Sequence, residues 1–371
     1  MTATAIRNCD SRVDHGIEHI SASAVKSGLS IEANLCETEW DEAIRSHSEA
    51  TVFHTTAWAR VLAKTYGHRF IPFRLSNDRS TVALIPMMGI SSAFTGRRGI
   101  GMPFSDFCEP LVFADPGASG LVNALAEFGL KKGWRYFELR GGRAELPATA
   151  VPAEQYYGHR LDLTGGIEQL FSALASPVRR AIRKAQTSGL SVEVKNTAQA
   201  VKEFYRLHIR TRKRHGAPPQ PFSFFNHIQK EILDRNLGFI VTARRGTNAI
   251  ASAVFLSFGR FGLFKFGASD PRHQELRANN LVMWQGIQEL VQRGIETLHF
   301  GRTDFNNDGL RRFKLAWGTK EETIEYFKFD VASNGWMAQR GPSPMVYRKV
   351  FRSLPLAANR VVGAWIYPHL D

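Results

Sequence analysis

The densest run of groups able to hold or stabilise an anion lies between Gly301 and Gly318 of the 371-residue chain. It begins Gly301-Arg302-Thr303-Asp304, continues through Asn306, Asn307, Asp308 and Gly309, and ends Arg311-Arg312-Phe313-Lys314-Leu315-Ala316-Trp317-Gly318. Short polar residues with Gly favour a tight loop. The loop follows a strand expected at Ile295 to Phe300, and open α/β sheets gather ligand groups beyond the carboxyl ends of their strands. Arg302, Arg311, Arg312 and Lys314 converge cations on that turn, and Phe313 and Trp317 are expected to strip water from Lys314. A desolvated charge acts more strongly than a solvated one. The plainer alternative is a loop whose basic face simply sits in water.

Two other clusters carry charge. Arg210-Thr211-Arg212-Lys213-Arg214-His215 ends a predicted helix before Gly216, where cations also suit the helix dipole. Gly96 to Pro110 reads as a Gly- and Pro-rich loop with Asp106 between two aromatic residues, a form that lets a ligand approach the backbone closely. There is no G-x-S-x-G, H-E-x-x-H or phosphate-loop motif, and the 12 histidines lack metal-ligand spacing, so no metal is expected. Cys9, Cys36 and Cys108 are too few and too scattered for a disulfide framework. With 48 Lys and Arg against 34 Asp and Glu, the net charge of +14 points to an anionic partner without naming it. No apolar signal core opens the chain, and the longest apolar run, Ala249 to Phe258, is too short to span a bilayer. A cytoplasmic protein is the expectation.

Periodicity places helices at Trp40–Ser46, Thr56–Tyr66, Leu121–Lys132, Ala198–Arg214 and Asn280–Arg293. Strands are expected at Phe70–Leu75, Thr81–Met88, Trp134–Leu139, Phe239–Ala243, Ala249–Ser257 and Phe261–Gly267, two of the pairs as hairpins. The helix, Gly stop and strand around Leu121-Val122, Gly133 and Phe137-Glu138-Leu139 recur around Leu281-Val282, Gly294 and Leu298-His299-Phe300, which indicates a tandem α/β duplication. The division that follows is a lead-in at 1–30, a first domain at 31–175, a second at 176–335 carrying the cleft, and a basic, aromatic tail at 336–371.

Several motifs together resemble one family. Phe53-His54-Thr55…Trp58, Pro86-Met87-Met88, Gly96-Arg97, Pro103-Phe104-Ser105-Asp106, Arg183-Lys184-Ala185…Gly189, Thr211…Arg214, Gly301-Arg302-Thr303 and Phe313-Lys314…Trp317-Gly318 are similar to the FemAB-related, double-GNAT acyltransferases. The likeness spans about residues 35 to 330 and is strongest with the branch of polysaccharide or cell-envelope synthesis. It implies two GNAT-like domains with mixed, mostly antiparallel sheets flanked by helices. It also implies acyl or aminoacyl transfer to a phosphate-bearing or sugar-linked acceptor, with acyl-CoA or aminoacyl-tRNA as donor.

On that resemblance Phe313 and Lys314 take the place of the family's Phe-Lys pair, whose Lys steadies the acyl group. Thr211 and Arg214, with Arg212 as a neighbouring register, would meet phosphate or carboxylate of the acceptor. Arg302 would orient Asp304 or bind acceptor phosphate beside Thr303, Arg311 and Trp317, and Asp106 would face the acceptor across the groove. Asp304 is the side chain nearest to a general base, with substrate or water as the alternative. One departure stands out: Arg272 to Asn280, where acyl-CoA users carry a Gly-rich R-x-x-G-x-G loop, contains no Gly. For the transferase, tRNA is a further partner, and the tail from Met345 to Leu370 either lies on anionic lipid, where lipid-linked acceptors reside, or packs on its own domain as a basic helix. The competing class is a non-catalytic binder of nucleic acid or of an anionic membrane surface. A monomer is expected.

Overall fold

A computed structural model describes the chain except for residues 1–28, 34, 78–79, 118, 339–345 and 371. The expected lead-in, the centre of the first hairpin turn and the start of the tail therefore lie largely outside the described residues. The first half runs β1 (Leu29–Glu32), α1 (Glu37–Arg45), α2 (Thr56–Tyr66), β2 (Arg69–Asn77), β3 (Ser80–Ser92), β4 (Gly96–Ile100), β5 (Leu111–Val112), α3 (Gly120–Lys131), β6 (Tyr136–Arg140) and β7 (Glu154–Asp162). Helices α4 (Gly166–Ala173) and α5 (Ser176–Gln186) lead into β8 (Ser191–Lys195), α6 (Ala198–His215), α7 (Phe222–Glu231), β9 (Gly238–Arg245), β10 (Asn248–Phe258) and β11 (Phe261–Ser269). Then come α8 (Ala278–Gln292), β12 (Thr297–His299), β13 (Thr303–Asp304), α9 (Asp308–Leu315), β14 (Lys320–Asp330), β15 (Gly335–Met337) and the tail helices α10 (Val346–Ser353) and α11 (Leu356–Ile366).

Local chemistry explains the boundaries. The Thr55 hydroxyl accepts from the Trp58 N–H at 3.2 Å to start α2, and Gly67 stops it in the left-handed region at φ 73°. Gly133 and Gly294, at φ 66° and 74°, follow the two duplicated helices α3 and α8. Gly96–Ile100 corrects an expectation, since it is a strand and the loop begins only at Gly101. A Cβ on Gly99 would sit 2.2 Å from the Trp134 ring, so that glycine serves close packing of strand and aromatic rather than loop freedom.

The duplication is visible in the pairing. In the first half β2, β3 and β4 pair antiparallel, α3 crosses over, and β6 returns parallel to β4. In the second, β9, β10 and β11 pair antiparallel, α8 crosses over, and β12 returns parallel to β11. The halves are fused by an exchange: β14, late in the chain, pairs with β6, while β7 pairs with β12, and β7 and β14 pair with each other. One mixed, mostly antiparallel sheet results, ordered β1-β2-β3-β4-β6-β14-β7-β12-β11-β10-β9-β8. Helix α8 packs on it so tightly that a Cβ on Gly286 would lie 2.1 Å from the Phe255 ring. Among the described residues no helix is long and apolar enough to cross a membrane.

Candidate active site

The site is built where β11 and β12 part. They pair parallel only from Phe261–Thr297 to Leu263–His299. Past that point β11 carries a bulge: Phe264 faces Phe255 and Phe266 faces Val254, leaving Lys265 unmatched. A bulge re-aims its extra side chain, and this one points at the first half of the chain. The Lys265 ammonium donates to the Phe104 carbonyl at 2.6 Å and to Asp106 Oδ2 at 2.7 Å. Burial works against a charged Asp106, but Lys265, helped by Arg302 and His299, overrides it and holds the carboxyl at about 2.

Where β12 ends, the Gly301–Arg302 turn is held from both sides. Asp106 Oδ1 accepts from the Arg302 N–H at 3.3 Å, and His299 Nδ1 accepts from the Gly301 N–H at 2.9 Å. Because Nδ1 accepts, the ring proton of His299 sits on Nε2, 3.2 Å from Glu322 Oε1. On the carbonyl side, Lys314 Nζ donates to Gly301 O at 2.7 Å and Arg302 O at 3.1 Å. Lys314 comes from α9, whose first turn is capped by the Asn307 side chain accepting from the Leu310 N–H. Only 3% of Lys314 is exposed, and burial lowers its pKa to about 8 against the pull of Asp106 and Asp304. The ammonium still carries a proton at neutral pH and has three donors, of which two are spent on those carbonyls.

The other expected residues separate into groups. Trp317 is wholly buried beneath α9, its ring 6.2 Å from Phe313. The Arg302 guanidinium donates to the Tyr326 hydroxyl at 2.9 Å and stacks 4.4 Å over the Tyr156 ring. Tyr326 in turn donates to the Asp106 carbonyl at 2.8 Å. Thr303 is buried in β13 opposite Tyr157, and the exposed Asp304 follows it opposite Tyr156. Arg311 lies outside this group, in a two-point contact with Glu321 at 2.7 and 2.8 Å. Thr211 ties α6 to the end of β11 by accepting from the Ser269 N–H, and Arg214 reaches the Ser269 carbonyl at 3.4 Å. Arg212 turns the other way, to Pro218 O and the hydroxyl of Tyr367 at the end of the tail.

A cleft of about 330 Å³ opens between the end of β11, the head of α8 and α9, with Arg214, Ser269, His273, Arg277, Asn279 and Phe313 on its wall. The first turn of α8 offers backbone N–H groups at such a point, which suits an anion. The Gly-free loop is accommodated by Arg277, which takes the left-handed conformation at φ 55° immediately before α8. Among the described residues no group of three His, Cys, Asp or Glu is placed to hold a metal ion.

Lys265, His299 and Tyr326 were not singled out by the sequence. The one signal for Lys265 is a lone cation between Phe264 and Phe266 in an otherwise apolar strand. Nothing local marks Tyr326, which lies in β14 beside Phe327, both of them buried.

Residues 174–315 match the family model described as an acetyltransferase (GNAT) domain. Curated protein sequences yield no match. Among solved structures, FemX is 12% identical over 80% of this chain and 96% of its own, with a TM-score of 0.63. The C-terminal domain of a protein assigned as a lysylphosphatidylglycerol synthetase from Agrobacterium fabrum is 16% identical over 78% and 92%, with a TM-score of 0.53. A tandem GNAT protein from the clavulanic acid biosynthesis pathway is 10% identical over 85% and 100%, with a TM-score of 0.52. At these identities the structural likeness is one of fold. Residues 174–315 are thus a GNAT acetyltransferase domain by the family model, set in a duplicated sheet with the fold of those structures.

Proposed function

We propose that the protein transfers an acyl or aminoacyl group from a phosphate-bearing donor, acyl-CoA or aminoacyl-tRNA, to a sugar-linked or phosphate-bearing precursor of the cell envelope or of an exopolysaccharide. The observation that carries this reading is the cleft at the head of α8, where Arg214 and Arg277 face the same space as Phe313, one residue from the buried Lys314. The two guanidiniums and the first turn of α8 suit a donor phosphate, whichever donor brings it.

In this scheme the acceptor amine or hydroxyl attacks the donor carbonyl and gives up its proton. The donor's thiolate or ribose oxygen leaves as the new amide or ester forms. Negative charge collects on the carbonyl oxygen in between, and a fixed donor aimed at it lowers the barrier. Lys314 supplies such a donor through the N–H not spent on Gly301 and Arg302, and its fixed carbonyl partners keep it from swinging away. Asp106 acts through the turn by holding the Arg302 N–H. Asp304, exposed beside the turn, would receive the acceptor's proton directly or through water.

The test is mass spectrometry of products formed by purified protein from a panel of acyl-CoAs and charged tRNAs with envelope-precursor acceptors. A mass-shifted acceptor with one donor class supports the reading. Absence of transfer from every donor, with a folded protein, rejects it.

A further inference from the structure

The outward face of α11 is apolar except for Arg360 at its flank, where an exposed helix face is ordinarily polar throughout. Ala357, Val361, Ala364 and Trp365, at helical spacing, all face solvent, with Val361 71% and Trp365 63% exposed. Phe94, from the turn between β3 and β4, is 68% exposed and meets Trp365 edge to face at 5.6 Å. His369 closes the group, 5.1 Å from Phe94. Val350 of α10 and Leu370 are exposed as well.

The opposite face of the tail is firmly docked, so this patch is displayed on a fixed support. Asn359 donates to the Phe351 carbonyl at 2.7 Å, and a Cβ on Gly363 would lie 2.2 Å from the Pro219 carbonyl oxygen. Tyr367 is buried and donates to Pro218 O while accepting from Arg212, and Arg98 donates to the His369 carbonyl at 2.9 Å. Arg212 and Arg214 leave the same end of α6, one toward the tail and the other toward the cleft.

Charge selects the occupant. Val346 to Leu370 contains Arg348, Lys349, Arg352 and Arg360 and no Asp or Glu, with Asp371 following as the last residue. Lys349, Arg352 and Arg360 are exposed, as is Arg97 on the hairpin that carries Phe94. Arg352 lies near enough to His215 to lower its pKa together with Arg214 and Arg212, behind the larger effect of burial, so the cationic shelf continues onto α6. Exposed Trp and Phe beside Lys and Arg match the boundary of an anionic bilayer, where rings sit among headgroups and cations meet lipid phosphate.

We propose that the outer face of α11, the Phe94 turn and the cations of α10 form a docking surface for an anionic lipid bilayer. The full chain should float with vesicles of phosphatidylglycerol in phosphatidylcholine and not with phosphatidylcholine alone. Binding should fall steeply toward about 1 M salt, where the screening length is about 3 Å. A Phe94→Ser/Trp365→Ser variant and a Lys349→Glu/Arg352→Glu variant should each bind about tenfold more weakly or worse, with wild-type thermal unfolding. Failure to bind anionic vesicles overturns the proposal. So does binding that survives in the aromatic variant, which would be charge attraction without insertion. A dimer seen by light scattering that Trp365→Ser dissolves, in a chain that ignores vesicles, would assign the face to a second copy instead.

Discussion

Asp106 and Lys314, far apart in sequence and from opposite halves of the fold, grip opposite sides of one turn. Asp106 holds the Arg302 N–H, and Lys314 holds the carbonyls of Gly301 and Arg302. The anion takes the donor and the cation takes the acceptors, so the turn that ends β12 is oriented by charges that neither neighbouring strand supplies. Lys265 completes the arrangement by neutralising Asp106 from the bulge in β11.

Lys314 is the residue on which transfer should depend most. Lys314→Ala is expected to lower kcat by about a hundredfold or more, the scale of losing one oxyanion donor. Lys314→Arg keeps the charge but cannot reproduce the compact contact to two carbonyls, and should recover only a small part. Full transfer activity in a folded Lys314→Ala protein would remove Lys314 from the mechanism.

The Asp106–Lys265 pair tests how the halves are joined. Asp106→Asn leaves Lys265, whose side chain is 6% exposed, without a counter-charge. Breaking a buried pair on one side costs about 3 kcal/mol or more. The double variant with Lys265→Met should regain most of that stability, because both charges are then gone. Denaturant titration of the two singles and the double measures the coupling, and simple additivity would show that the pair is not a unit.

Arg277 separates donor binding from folding. Its left-handed backbone is tolerated by Asn at little cost, so Arg277→Asn should change stability by no more than about 0.5 kcal/mol. If the guanidinium on the cleft wall meets donor phosphate, KM for the donor should rise several-fold with kcat nearly unchanged. An unchanged KM would place the donor elsewhere.

Stability should fall as the solution is acidified below neutrality, because burial holds His54, His159 and His208 well below their free value. Burial lowers His54 to about 4, although its ring nitrogens are engaged by Glu109 O and the Thr51 N–H. Burial likewise lowers His208 to about 3, beside Gln220. Both folded values lie below the unfolded value near 6.5, so the unfolded chain takes up protons first as the pH drops. Their stabilising effect is complete above about pH 6.5 and is lost as the pH falls toward 4 and then 3. Each accounts for about 2 kcal/mol between pH 6.5 and 5. Asp106, held at about 2, titrates only below that window. Urea melts at pH 7 and pH 5 should show the loss, and His54→Asn should flatten its share of the slope.

Local features of the sequence were legible because local physics writes them. The bounds of α2, with Thr55 as its cap and Gly67 as its stop, follow from side chains within one turn of each end. The duplicated helix–Gly–strand units are equally local. Strands β7 and β14, the centre of the sheet, were not expected. Their sequences are rich in charge, and that charge is settled only by pairing, as with Arg160 on Glu322 and Lys328 on Glu154.

The sequence by itself determined a duplicated α/β pattern with a GNAT domain at residues 174–315, a basic loop around Lys314 and a basic tail. Its charge count implied an anionic partner but could not say which cations are available to meet one. Only the tertiary structure decided that. The β7–β14 exchange and the β11 bulge bring Asp106, Lys265, Arg302 and Lys314 to one turn, while Arg212 is spent on the tail and Arg311 on Glu321. The physical reason is that helix and strand periodicity act over a few residues. The distance between a carboxylate in one half and an ammonium in the other is set by which strands pair across the whole sheet.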